Sequence, residues 1–293
     1  YVYWQWIGLI NTGQFANPTD IYTGRAIYTD TDCIIAGVWG NALDTNIPDV
    51  YLEISQGVLY ITRYDINNRY TSLGNSGTNF FHYNVWNWVE LRVLMSSDNA
   101  TPNGAVQVWL NNQLVINITN VITKRNNSST YWTGTTLNTS DGRHNATIDD
   151  IYITDTTGPA PWNGRLGDLR IATLVPNSDA GPNDGYPSAG NTYYGVISEL
   201  PTNTGDYITM SNIIGRAERF THTPPPTAPN TIFALSTSAT VMKADIGFAN
   251  MSMTLVNKLL NERHTDIESL ENGPFHKASI WEYQSGDLSC IHL

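Results

Sequence analysis

Apolar and polar positions alternate with a period of two along most of the chain, the spacing of strands with one buried face. The clearest case is residues 47–65, where DVYLEIS and VLYITRYD flank Gln56-Gly57. Both arms alternate, with Val50, Leu52 and Ile54 sharing one face of the first, so the pattern predicts a hairpin. A second hairpin is predicted where VQVWL and QLVINI flank Asn111-Asn112, because Asn tolerates the left-handed backbone that a two-residue turn needs. Residues 33–39 form an apolar run suited to a core strand, whereas residues 1–30 predict only a short edge strand. In residues 85–94 Trp86, Trp88, Glu90 and Arg92 alternate with Asn87, Val89, Leu91 and Val93, and both tryptophans are read as core. Strands follow one another at turn-spaced intervals without helices between them, the signature of an antiparallel sandwich.

Residues 145–176 anchor this reading. Two alternating runs, 148–154 and 166–174, flank a Thr, Gly and Pro segment and predict strand, turn, strand. Strict alternation sets Ile148, Asp150, Tyr152 and Thr154 on one face and Asp149, Ile151 and Ile153 on the other. At least one of Asp149 and Asp150 therefore points to a packed side and needs donors. Backbone N–H groups of a neighbouring turn would supply them, and a Ca²⁺ ion is the alternative. The Gly158-Pro159-Ala160-Pro161 break divides the chain into a module at 1–160 and a second at 161–293. In the second, short strands are expected at 193–198, 206–211 and 217–221, and 231–244 and 247–256 read as one long hairpin. Residues 259–270 are the single window with near-helical spacing.

Composition narrows the function. Charged residues make up 14% of the 293 and aromatics 11%, which suits neutral polar β surfaces and leaves few of the residues long helices favour. The net charge of −11, with basic residues scattered, argues against a nucleic-acid groove and against an anionic membrane surface. No run approaches the roughly 18 apolar residues of a membrane span, and no basic-then-apolar leader opens the chain. Cys33 and Cys290 stand near opposite ends and are read as thiols rather than a disulfide framework. The Asn-x-Ser/Thr triplets, including Asn99 and Asn145, occur about as often as this composition produces by chance.

Candidate chemistry is sparse. Glu53 has no acidic partner on its strand, the residue two beyond Glu90 is Arg92, and Asp149-Asp150 has odd spacing, so no pair is set up for glycoside hydrolysis. No nucleophile elbow, Cys-His constellation, zinc spacing or phosphate-cradling loop is present, and no catalytic residue, metal or cofactor is expected. Residues 124–144 read as a long polar loop carrying Tyr131 and Trp132. With Trp162 and Tyr186 these loop aromatics are candidates for glycan stacking or for packing against another subunit.

The order of motifs resembles a known family. Trp88-Val-Glu90-Leu, then Gly104-Ala-Val-Gln-Val-Trp-Leu-Asn-Asn, then Ile148-Asp-Asp-Ile-Tyr-Ile-Thr-Asp-Thr-Thr-Gly158, then Leu166-Gly-Asp-Leu-Arg-Ile with Pro176, is similar to concanavalin A-like or laminin G-like virion proteins of tailed bacteriophages. Ser198-Glu199-Leu-Pro201, Pro229-Asn-Thr-Ile232, Lys243-Ala244-Asp245-Ile-Gly247 and Ala278-Ser-Ile-Trp281-Glu continue the likeness. The resemblance implies an all-β chain: an antiparallel concanavalin A-like jelly-roll sandwich followed by a smaller β-sandwich module. It also implies a non-enzymatic structural protein of the virion, on capsid or tail. Its partners would be other virion proteins and copies of itself, with a trimer one expectation. Trp88, Glu90, Asp149, Asp150, Gly167 and Asp168 are then structural positions. A lectin-like module recognising host-surface polysaccharide is the alternative.

Overall fold

Two pairs of left-handed residues fix the hairpins read from the sequence. Gln56 and Gly57 have φ of 52° and 73°, and Asn111 and Asn112 have 49° and 70°, the backbone whose twist matches the strands it joins. The computed structural model describes residues 5–8, 18–40, 48–67, 69–78, 80–138, 146–157, 160, 162–188, 192–199, 205–210, 213–224, 234–243, 250–256, 262–264, 268–269 and 273–282. The chain divides into two units, Tyr1–Ile171 and Ala172–Leu293.

The first unit has eleven strands: β1 (Gln5–Gly8), β2 (Asp20–Thr29), β3 (Cys33–Gly40), β4 (Val50–Ser55), β5 (Val58–Tyr64), β6 (Tyr70–Asn75), β7 (Asn87–Leu94), β8 (Gly104–Leu110), β9 (Gln113–Val121), β10 (Trp132–Asn138) and β11 (Ala146–Asp155). They form a six-stranded sheet, β1-β10-β3-β4-β5-β6, and a five-stranded sheet, β11-β2-β7-β8-β9, with antiparallel pairing throughout. Ile35, Val38, Leu52 and Ile61 of the first sheet and Ile21, Ile27, Leu91, Val93, Val106 and Val108 of the second bury themselves in one core between the layers. That burial, at roughly 25 cal/mol per Å² of apolar surface, is the main force holding the sheets face to face.

β2 is a central strand that the sequence pattern hides. Its core-facing row is Ile21, Thr23, Arg25 and Ile27, opposite Val93, Leu91, Val89 and Asn87 of β7. The charge at Arg25 breaks the apolar alternation, yet this side chain is buried, donating to Ile35 O at 3.0 Å and Thr23 Oγ1 at 2.8 Å. Burial lowers its pKa to about 10.

Trp132 contradicts its expected place in a loop. It opens β10, is 0% exposed, and its indole Nε1 donates to Thr19 O and Val93 O, both at 3.1 Å. The segment before it is tied down as well: Lys124 Nζ donates to Ser97 O at 2.7 Å and Arg63 Nε donates to Lys124 O at 3.0 Å. Trp86 departs from its core assignment too. It lies one residue before β7 begins, is 48% exposed, and packs beside Tyr28 with ring centroids 5.8 Å apart. Trp88 is buried.

The second unit is all-β, and its described strands are two-stranded antiparallel ribbons where a smaller sandwich was expected. They are β12 (Pro176–Asn183), β13 (Tyr186–Pro187), β14 (Ile208–Thr209), β15 (Glu218–His222), β16 (Ala234–Lys243), β17 (Asn250–Met251), β18 (Thr254–Val256), β19 (Glu262–His264), β20 (Glu268–Ser269) and β21 (Gly273–Glu282). β12 pairs with β15 and β13 with β14, and residues 194–196 form a 3₁₀ turn where a strand was expected. β16 pairs with β21, not with the segment following it, because the ladders nest: β17 pairs with β20 and β18 with β19 inside the outer one. The same nesting puts strands at 262–264 and 268–269, where helical spacing was read. Cys33 is buried, its sulfur 3.8 Å from Thr29 Oγ1, and Cys290 lies outside the described residues, as do 158, 159, 161 and 225–233.

Candidate functional site

A bulge in β11 builds the site. Asp149 lies opposite Ala26 and Tyr152 opposite Gly24, three residues on one strand against two on the other, and Asp150 takes φ 52°. The extra residue shifts the alternation. Ala146 and Ile148 before it, and Ile153 after it, pack on the sandwich core, while Tyr152 turns to the outer face. The single face predicted for Ile148, Asp150, Tyr152 and Thr154 is therefore split.

On that outer face Tyr152 lies across Gly24. A Cβ built there would stand 2.1 Å from Tyr152 Cε1, so only glycine admits the ring. The ring stacks on Trp88, centroids 6.1 Å apart, and its hydroxyl donates to Glu90 Oε1 at 2.5 Å. Glu90 is 0% exposed. It also accepts from Arg165 Nε at 2.7 Å on Oε2 and from the Gly167 N–H at 2.9 Å on Oε1, so both oxygens are held. Arg165 Nη2 donates to Asn112 Oδ1 at 2.7 Å, and its guanidinium lies 5.1 Å from the Trp109 ring. Gly167 has φ +81°, a backbone that glycine adopts without strain. Burial, then the Glu90 carboxylate, hold the Tyr152 hydroxyl far above its ordinary range, so it remains a donor.

Residues 162–171 thus form a strap pinned over the five-stranded sheet. Asp150 is buried and accepts the Ile171 N–H at 2.8 Å; Arg170 Nη1 lies 3.6 Å from its other oxygen. Asp149 is exposed and accepts the N–H of Asp150 at 2.8 Å. Leu166 and Leu169 pack on Ala26, Trp88 and Tyr152, and Thr154 Oγ1 donates to Gly164 O at 2.6 Å. The strand expected at 166–174 does not form before Pro176, because the backbone N–H groups of Leu166, Gly167 and Ile171 go to Tyr152, Glu90 and Asp150 instead of a neighbouring strand. Asp168 makes only a local pair with Arg170, at 3.0 Å.

Beside the strap a polar strip crosses the same face. Arg92 makes a forked bond to Asp20, with Nη2 at 2.6 Å and Nε at 3.0 Å, and passes the chain on through Gln107, 2.9 Å, to Asn117, 3.0 Å. The hydrogen bonds to Asp20 raise the Arg92 pKa against the opposing effect of burial. Half-buried Tyr22 and Trp109 flank the strip, centroids 6.5 Å apart.

The four loop aromatics are not brought together as one platform. Trp132 is core, Tyr131 and Trp162 are half-buried in the first unit, and Tyr186, 70% exposed, belongs to β13 of the second. The strip of Tyr22, Arg92, Gln107 and Trp109 went unnoticed in the sequence; alternate positions on three neighbouring strands were the available signal. Among the described residues no group of three or more His, Cys, Asp and Glu could hold a metal ion.

No family model matches the chain, and no curated protein matches it. Solved structures match about half of it. An endo-β-1,4-glucuronan lyase from the fungus Trichoderma reesei aligns at TM-score 0.40 and 13% identity over 52% of this chain and 74% of its own. Sheep galectin-11 aligns at TM-score 0.32 and 11% identity over 52% of this chain and 96% of its own. The receptor-binding domain of botulinum neurotoxin C/D mosaic serotype aligns at TM-score 0.33 and 14% identity over 50% of this chain and 36% of its own. The first unit is a jelly-roll sandwich of the concanavalin A-like kind. The likeness carries no activity with it.

Proposed function

We propose that this chain is a non-enzymatic structural protein of a tailed-phage particle, held in place through its β surfaces by other virion proteins and by copies of itself. One observation carries the reading. Glu90, the buried acid at the centre of the outer face, has both oxygens occupied by a guanidinium, a phenol and a backbone amide. A carboxylate so engaged holds the strap down and has no lone pair directed at a substrate. The motif order that resembles phage virion proteins runs through these residues, since Glu90, Asp150, Tyr152 and Gly167 all lie in it. The test is quantitative mass spectrometry of purified particles of the phage encoding the chain. A fixed copy number per particle, retained through gradient purification, is expected; absence from the particle contradicts the proposal.

A second reading, contact with a host polysaccharide, draws on the polar strip, where Tyr22 and Trp109 flank Arg92 and Gln107. Aromatic faces beside hydrogen-bonding side chains suit sugar rings. Glycan-array binding abolished by Gln107→Ala, with the fold retained by circular dichroism, would favour it.

A further inference from the structure

The outer ribbon of the second unit has two unlike edges. β21, GPFHKASIWE, carries Pro274, His276, Lys277 and Glu282, residues that discourage a further strand. β16, ALSTSATVMK, has neither proline nor charge before its last residue, and Ser238 and Met242 are exposed. Among the described residues β16 pairs with β21 and with no third strand. A ribbon of two strands is marginal in water by itself, and an uncharged edge with strong β propensity is a template for pairing.

The sequence of β16 says what fits that edge. About Ser238 it is a palindrome in chemical class: Leu235 mirrors Val241, Ser236 mirrors Thr240, Thr237 mirrors Ala239, and Ala234 mirrors Met242. We infer that β16 pairs antiparallel with β16 of a second copy about a two-fold axis at Ser238, giving a four-stranded sheet β21-β16-β16-β21. A two-fold axis normal to the sheet keeps the same face of both copies on the same side, and pairings centred on a residue satisfy this. The ladder register places Leu235 opposite Trp281 and Val241 opposite Phe275. Centred on Ser238, the dimer then runs Trp281, Leu235, Val241 and Phe275 in one row across four strands, the last two from the second copy, and a symmetric row follows. Moving the centre to Ala239 would set Leu235 against Lys243 and break the row. Cross-strand apolar pairs of this kind are the unit of sheet stabilisation. The inference stands apart from the virion reading, since it requires only a second copy of this chain.

Ser238 is the residue that meets itself, so charge at that position tests the contact in the full chain. Light scattering across a wide concentration range is expected to show a dimer in equilibrium with monomer. Ser238→Lys and Ser238→Glu each set like charges opposite one another and weaken the dimer about fivefold or more. Mixing the two variants restores it, which a folding defect would not do. A chain monomeric at every concentration, an assembly unaffected by both variants, or a mixture no tighter than its components would overturn the inference. A trimer that persists in both variants would overturn it as well.

Discussion

Removing Arg165 leaves a carboxylate buried under the strap. The guanidinium supplies Glu90 with charge-assisted bonds at 2.7 Å from Nε and 2.6 Å from Nη2, and it is the only cation recorded against that acid among the described residues. In Arg165→Ala, Glu90 retains the Tyr152 hydroxyl and the Gly167 amide, two neutral donors, with water excluded on the sheet side. Stripping one partner from a fully buried pair costs about 3–5 kcal/mol. The Arg165 side chain is 28% exposed and already partly solvated, so the expected loss is nearer 2–3 kcal/mol. Glu90→Gln keeps the shape but turns an amide N–H₂ toward a donor, and about 2 kcal/mol is expected. In the double variant neither charge remains, so its loss falls short of the sum of the singles by at least about 1 kcal/mol. Urea denaturation followed by near-ultraviolet circular dichroism reads these differences through the Trp88–Tyr152 stack. Hydrogen exchange at Leu166, Gly167 and Ile171 reports release of the strap. An Arg165→Ala loss within about 0.5 kcal/mol of zero, or strict additivity, would refute the reasoning.

Other outcomes follow from single contacts. Gly24→Ala places a methyl group inside the Tyr152 ring and should cost about 2–3 kcal/mol, with loss of the Tyr152–Trp88 near-ultraviolet signal. Trp132→Ala, a truncation of a fully buried side chain, should destabilise the first unit by about 3–5 kcal/mol in thermal or urea unfolding; a variant of unchanged stability would contradict its core placement. The Asp98 carboxylate is held down to about 2, first by the Thr101 hydroxyl and then by the Ala100 and Thr101 N–H groups. Its folded pKa lies below the unfolded 3.8, so the turn gains stability above about 4 and loses it as pH falls through about 2. Carboxyl NMR titration checks this, and a midpoint near 4 would count against the turn.

What the sequence could show was set by range. The Gln56-Gly57 and Asn111-Asn112 hairpins were legible because turn chemistry and strand alternation are local. The strap was not. Glu90 meets its partners 62, 75 and 77 residues away, and nothing near Glu90 announces them. Asp150 was visible as a buried acid, but the bulge that aims it is a phase shift of one residue inside an alternating run. Trp132 was placed in a loop because polar residues precede it, although Lys124 is itself buried with its ammonium satisfied by a carbonyl. β2 was missed for the same reason in reverse: one buried cation interrupts a core row. In the second unit, local alternation identified β16 but could not choose between the adjacent segment and β21 as its partner.

The measurement that reaches the central claim most directly is electron cryo-microscopy of the intact particle. The account predicts the jelly-roll sandwich at positions repeated by the particle's symmetry, with its faces and ribbons packed on neighbouring virion proteins. A particle without this sandwich, or one in which polysaccharide lies against Glu90 with the strap displaced, would contradict it.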